Sequence, residues 1–86
     1  MSPMGQGYLC KDNKYIYTFV NDYTKAWPAF SHAFRLPEEV VKDERFNTKE
    51  AVTIIENRSA LVDIVREYAM KRTAQEILDD LVAGDV

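Results

Sequence analysis

The sequence is short of the residues that staple small proteins. Its 86 residues hold one cysteine, Cys10, and one histidine, His32. One cysteine excludes an internal disulfide, and so small a ligand supply excludes a cysteine-rich zinc site. Glycine and proline are scarce, three of each, and there is no low-complexity stretch, repeat or internal linker. No run approaches the ~18 apolar residues that cross a bilayer. Met1-Ser2-Pro3-Met4-Gly5 lacks the basic and apolar regions of a signal peptide, so the cytoplasm is the expected compartment. There is no Ser/His/Asp set, no P-loop and no dinucleotide fingerprint. Basic runs are also missing. Residues 1–37 carry Lys11, Lys14, Lys25 and Arg35 against Asp12 and Asp22, the remainder is acidic, and the formal net charge is -3. Such a chain cannot neutralise a row of phosphates, and nucleic acid is not an expected partner.

What is present is globular. Hydrophobic residues make up 47% and charged residues 29%, too apolar for disorder. The length allows one small domain, residues 1–86. A domain of this size hides only about 60–65% of the surface its unfolded chain exposes. With no staple, it is expected to lean on a partner or on a larger parent protein.

The local patterns predict an α+β fold, one N-terminal hairpin followed by about four helices. Tyr8-Leu9-Cys10-Lys11 and Lys14-Tyr15-Ile16-Tyr17-Thr18-Phe19-Val20 are rich in aromatic and β-branched residues and read as strands. Asp12-Asn13 between them reads as a two-residue turn. That register pairs Leu9 with Ile16 and Tyr8 with Tyr17. It places Tyr8, Cys10, Tyr15, Tyr17 and Phe19 on one face and Leu9, Ile16, Thr18 and Val20 on the other. Both faces are largely apolar, so both are expected to meet protein. Tyr23, Trp27, Phe30 and Phe34 then recur as one helical stripe, with Asn21 or Asp22 as cap. Pro28 inside that stripe predicts a late start or a bend, and Leu36-Pro37 ends it. Glu38 to Lys42 reads as a short helix with Pro37 at its first position. Asn47 and Glu50 form a capping-box pattern opening a helix from about Thr48 to Ala69, with a break near Asn57-Arg58. Its apolar stripe is Ala51, Ile54, Ile55, Leu61, Ile64, Val65 and Tyr68. Thr73 and Glu76 box the last helix, Ile77, Leu78, Leu81 and Val82 line it, and Gly84 suits its C′ position. A strand starting near Val86 would give the hairpin a third partner, so the chain is expected to be a fragment of a longer polypeptide.

Most candidate chemistry has a bland reading. His32 sits about 200° around its helix from Phe30 and reads as a solvated surface residue. Cys10 reads as a small buried hydrophobe. The Tyr15–Phe19 strand with Lys11 and Lys14 suggests a base-stacking sheet, but net acidity and the want of a four-strand pattern oppose it. Thr73 to Leu81 is like the first helix of a helix-turn-helix, without a recognition helix after it. The pairs Glu38-Glu39, Asp43-Glu44 and Asp79-Asp80 read as solvated carboxylates. Gly5-Gln6-Gly7, next to Tyr8, is the one loop whose glycines would let backbone approach a ligand or move as a flap.

The order of short motifs adds a resemblance. Tyr8-Leu9-Cys10-Lys11-Asp12-Asn13-Lys14-Tyr15-Ile16-Tyr17 resembles the hairpin of the family III CoA-transferases, with Asn13 where that family usually has glycine. Asn21-Asp22, Trp27, Phe30 and Leu36-Pro37-Glu38 are similar to its next segment. Asp43-Glu44-Arg45-Phe46-Asn47-Thr48, Asn57-Arg58-Ser59-Ala60-Leu61 and Arg72-Thr73-Ala74-Gln75-Glu76 resemble three further motifs, in the same order and spacing.

That family includes carnitine and bile-acid CoA-transferases and α-methylacyl-CoA racemase. The resemblance implies the small α+β domain of an enzyme several times longer, whose large domain carries a catalytic aspartate that takes up CoA covalently. No residue here matches that aspartate or the main CoA-binding positions, so the resemblance assigns no catalytic residue and implies that the isolated chain is inactive. It implies an acyl-CoA thioester as substrate and no separate cofactor, while the single His and Cys and the want of a long apolar run make neither a metal nor a membrane an expected partner. It also implies the large domain as partner and an interlocked homodimer. Gly5, Gln6, Gly7 and Tyr8 occupy the place of a substrate loop that closes over the active site. The rival readings are a stand-alone protein-interaction module using the Tyr8/Tyr15/Tyr17 face, and the same domain from a racemase.

Overall fold

A computed structural model describes residues 2–86. Its chirality and register begin at the turn Lys11-Asp12-Asn13. The Cys10 amide donates to the Lys14 carbonyl at 2.8 Å and the Asn13 amide to the Cys10 carbonyl at 3.0 Å. Asn13 takes the left-handed conformation, φ 63°. This is a three-residue loop, a turn closed by one left-handed residue. It demands positive φ once, at an asparagine, which tolerates it, whereas the expected two-residue turn would demand it twice.

The extra loop residue corrects the predicted register. Strand β1 (Gly7–Leu9) pairs antiparallel with β2 (Tyr15–Tyr17), with Gly7 opposite Tyr17, Tyr8 opposite Ile16 and Leu9 opposite Tyr15. A slip of one residue moves a whole strand's side chains to the other face. Tyr8, Cys10, Ile16 and Thr18 therefore point inward and are buried, while Tyr15, Tyr17 and Phe19 are exposed. Tyr8 does not share a face with Tyr15 and Tyr17.

Helix α1 (Tyr23–Ala33) is capped by Asp22, whose carboxylate accepts the Lys25 amide at 3.2 Å. Pro28 lies inside α1 without delaying its start. Its side chain is exposed, and it supplies no N–H to the carbonyl of Thr24. The predicted stripe holds: Tyr23, Trp27, Phe30 and Phe34 are all buried. Their rings run in sequence at centroid spacings of 6.0, 6.4 and 4.7 Å, and Tyr8 closes the row edge-on to Phe34 at 5.5 Å. Three polar tips are tied to backbone. Tyr23 donates its hydroxyl to the Phe46 carbonyl at 2.6 Å, Trp27 its indole N–H to the Val41 carbonyl at 2.8 Å, and Tyr8 its hydroxyl to the Pro3 carbonyl. A buried Tyr or Trp needs such a partner. Here the partners fix three segments that have little regular structure of their own.

Helix α2 (Glu38–Val41) begins after Pro37, which is its N-cap rather than its first residue. Helix α3 (Lys49–Val52) is capped by Thr48, not Asn47: the Thr48 hydroxyl accepts the Ala51 amide at 3.2 Å. The break that follows lies at Thr53-Ile54, earlier than predicted. There the Thr53 hydroxyl donates to the Glu50 carbonyl at 2.6 Å and the Asn57 amide to the Ala51 carbonyl at 3.0 Å. Asn57 thus ends α3 from inside α4 (Ile55–Ala69) instead of starting a helix. The break turns Ile54 and Ile55 outward, and they are exposed, while Leu61, Val65 and Ala69 are buried. Helix α5 (Ala74–Ala83) has the expected Thr73/Glu76 capping box. Ile77 and Leu81 are buried, but Leu78 and Val82 are exposed. Counting both sides of the break, five helices follow the hairpin. Helices α4 and α5 meet the hairpin, and α1 lies against α5.

The last turn of α5 corrects the reading of Gly84. Gly84 has φ -86° and is the C-cap, and Asp85 holds the left-handed position, φ 60°. The Val86 amide donates to the Leu81 carbonyl and the Asp85 amide to the Val82 carbonyl, a Schellman pattern. Glycine is needed at 84 for another reason: a Cβ there would lie 2.7 Å from the Cβ of Ala29 on α1. Gly84→Ala should therefore lower stability by about 1–3 kcal/mol through overpacking. Asp85→Gly should leave it unchanged or raise it by up to about 1 kcal/mol, since glycine accepts positive φ without steric cost. Urea unfolding of the two variants checks the pair, and the reverse ranking would return the C′ role to Gly84.

Candidate functional site

The predicted substrate loop sits at the open end of the hairpin. The Gly5 amide donates to the Ser2 carbonyl at 3.0 Å, and the Gln6 side-chain amide donates to the same carbonyl at 3.2 Å. The Gln6 carbonyl accepts both the amide and the hydroxyl of Thr18, at 3.3 and 3.4 Å. The loop is thus fastened to the strand that carries the exposed aromatics. A Cβ on Gly5 would meet nothing closer than 3.7 Å, but one on Gly7 would lie 2.6 Å from a Tyr17 ring carbon. Gly7 is therefore the floor on which the Tyr17 ring lies. Tyr8 is separated from this group. Its side chain is buried in the core, and burial pushes its phenol above the usual range.

Outside the loop, Tyr15, Tyr17 and Phe19 are 56%, 74% and 85% exposed, and the two tyrosine rings stack at 6.0 Å. Leu9 and Tyr15 continue into a groove of about 410 Å³ that also holds Arg66 of α4 and Met70, the C-cap of that helix. An isolated exposed aromatic needs no explanation. Three at alternate positions along β2 and the residues just after it, over a core already filled from the other side, form an exposed aromatic patch. The two-residue turn groups Tyr15, Tyr17 and Phe19 with the buried Tyr8 and Cys10 and so conceals this division, and nothing in the local pattern points to Arg66 or Met70 beside them. The alternation alone contained the signal, since 15, 17 and 19 share a parity that 16 and 18 do not.

The ionisable groups do not assemble proton-transfer chemistry here. The expectation of solvated acidic pairs holds for Glu38, Glu39, Glu44 and Asp79, which are exposed, and fails for their neighbours. Asp43 is gripped by Arg45 through Nε and Nη2, the latter at 2.7 Å. Asp80 accepts Arg72 at 2.6 Å and Arg35 at 3.1 Å, and Arg72 also donates to the Ala33 carbonyl at the end of α1. Hydrogen bonds from Arg45 and from Arg72 hold both carboxyls below the usual carboxylate range. A general acid at neutral pH needs the opposite shift. Cys10 is buried, and burial pushes its thiol up, away from the thiolate form. His32 is exposed, as expected. Among the described residues no three His, Cys, Asp or Glu side chains gather as a metal ion would require, and no helix is long and apolar enough to cross a membrane.

The class is thus an α+β module with a filled core and an exposed aromatic face. The family is specific: the profile of CoA-transferase family III matches residues 1–86, the whole chain. The chain belongs to CoA-transferase family III, which places its role in CoA transfer. No curated protein and no solved structure matches it.

The Asp80 ion pairs predict a pH dependence. A carboxyl whose folded pKa is lowered stabilises the fold above its ordinary value, about 3.9, and loses that contribution as pH falls through the lowered one. Asp80→Asn should be less stable than the parent at pH 7, and the gap should close as pH drops from about 4 toward 2. Urea midpoints of both proteins across that range check it. A gap that persists unchanged at pH 2 would show that the charge of Asp80 is not what matters.

Proposed function

We propose that these residues form the small domain of a family III CoA-transferase and cover its acyl-substrate cleft. The large domain is the partner, and the Tyr15/Tyr17/Phe19 face is the surface that meets it. The observation that carries this reading is the one-sidedness of the hairpin, whose inner face is filled by its own helices while its outer face keeps three large aromatics in water. Burying that face would recover roughly 1.5–3 kcal/mol per large side chain. The Gly5-Gln6-Gly7 loop is fastened to the same strand and lies at the rim of the face, so docking would bring it to the cleft as a substrate loop. The substrate of the intact enzyme is then an acyl-CoA with a carboxylic acid acceptor. The nucleophile lies in the large domain, and the whole enzyme works as an interlocked homodimer in the cytoplasm. A stand-alone interaction module would share the exposed face, but the family membership of all 86 residues favours the enzyme part.

Transfer of CoA from an acyl-CoA to a free carboxylate is the test. The 86-residue chain should show none alone, and the chain in its intact enzyme should show it. Phe19→Ser or Tyr17→Ser in that enzyme should lower transfer about tenfold, the loss typical of an interface anchor. Turnover by the isolated chain would overturn the assignment, and unaltered transfer in both variants would remove the aromatic face from it. Exchange of the acyl α-proton without transfer would point to the racemase.

A further inference from the structure

The end of α1 carries a second feature that the aromatic face does not use. Pro28, Leu36 and Val41 form the apolar floor of a groove of about 480 Å³ between α1 and α2, with Ser31, Arg35 and Lys42 among its polar lining. Ser31 is 1% exposed, and its hydroxyl has no hydrogen-bond partner among the described residues. An unpaired buried hydroxyl is rare in a native fold and calls for a reason.

The charges around it do not balance. Arg35 and Arg72 share one carboxylate, Asp80, so one positive charge is left over at this corner. Arg35 is held in place by the backbone: it takes the left-handed position after α1, φ 54°, and the Leu36 amide donates to the Ser31 carbonyl across it. Among the described residues the hydrogen bonds of Arg35 all run through a single terminal nitrogen, to the His32 carbonyl, the His32 ring and Asp80. Its Nε and other terminal nitrogen remain as donors, in the planar fork that suits a carboxylate. On the opposite wall Lys42 is paired with Glu38 at 2.7 Å and adds no net charge. A groove with an apolar floor, an unspent guanidinium edge and an unpartnered hydroxyl suits one chemistry, an aliphatic chain ending in a carboxylate.

We infer that the α1–α2 groove binds a small aliphatic carboxylate, with the carboxylate on Arg35 and, once its buried side chain rotates toward the groove, on the Ser31 hydroxyl, and with the chain on Pro28, Leu36 and Val41. The inference stands on the groove alone and holds whether or not the transferase reading does. Trp27 reports on it, because its indole donates to the carbonyl of Val41 beneath the groove.

The probe is butanoate, titrated into the full chain while Trp27 emission and the backbone amide signals of residues 31–36 are followed. The expected result is saturable binding that moves both. Arg35→Gln should weaken it by about tenfold or more, the worth of a charge-assisted hydrogen bond. Ser31→Ala, which only trims a buried hydroxyl and keeps the fold, should weaken it several-fold. Absence of saturation would overturn the inference. So would equal binding of butanamide, which lacks the charge, or of inorganic phosphate, which lacks the chain. Unchanged affinity in both variants would place any bound butanoate elsewhere.

Discussion

The structure depends on a row of five rings. Tyr23, Trp27, Phe30 and Phe34 follow one another along α1, and Tyr8 of the hairpin ends the row against Phe34. A chain this short hides little surface per residue, and no disulfide compensates. Large aromatics are the densest way to bury apolar area, and this fold places five of them in one continuous stack. The row also organises what surrounds it. The Tyr23, Trp27 and Tyr8 tips hold Phe46, Val41 and Pro3 by their carbonyls. Short α2, the connector after it and the N-terminal segment are thus placed by side chains of α1 and β1 rather than by their own helical or sheet bonding.

Because Tyr8 belongs to that row, the hairpin has a fixed inside, and its other face is left in water. The three-residue turn commits Ile16 and Thr18 to the side of Tyr8 and Cys10 and turns Tyr15, Tyr17 and Phe19 out. The same turn is anchored to the last helices: the Lys11 amide donates to the Arg72 carbonyl at 3.0 Å, and the Asp12 carboxylate accepts the Ala74 amide at 3.3 Å. Core packing and the exposed aromatic face are therefore two consequences of one register. A slip would bury two tyrosines that have no partners inside and expose an isoleucine that fits there.

Much of this was legible in the residues. The spacing of Tyr23, Trp27, Phe30 and Phe34 gave α1, and Thr73 with Glu76 marked the start of α5, because both signals depend on neighbours in the chain. The order of five short motifs pointed to the family that the whole chain matches. What escaped were choices settled by distant contacts. The hairpin register turns on whether Asn13 alone takes positive φ, which neither strand's composition reveals. The break at Thr53 is made by Asn57 reaching back to Ala51. Gly84 is glycine because α1 approaches it, not because of its own φ. Ser31 was unremarkable in the sequence, and only the folded chain shows its hydroxyl buried without a partner.

The register of the hairpin decides which tyrosines face water. Photochemically induced nuclear polarisation of the chain in solution, with a flavin dye as probe, reads this residue by residue. Tyr15 and Tyr17 should be strongly polarised, and Tyr8 and Tyr23 should be silent. Polarisation of Tyr8 together with protection of Tyr17 would mean that the hairpin is held in another register, and the aromatic contact face would fall with it.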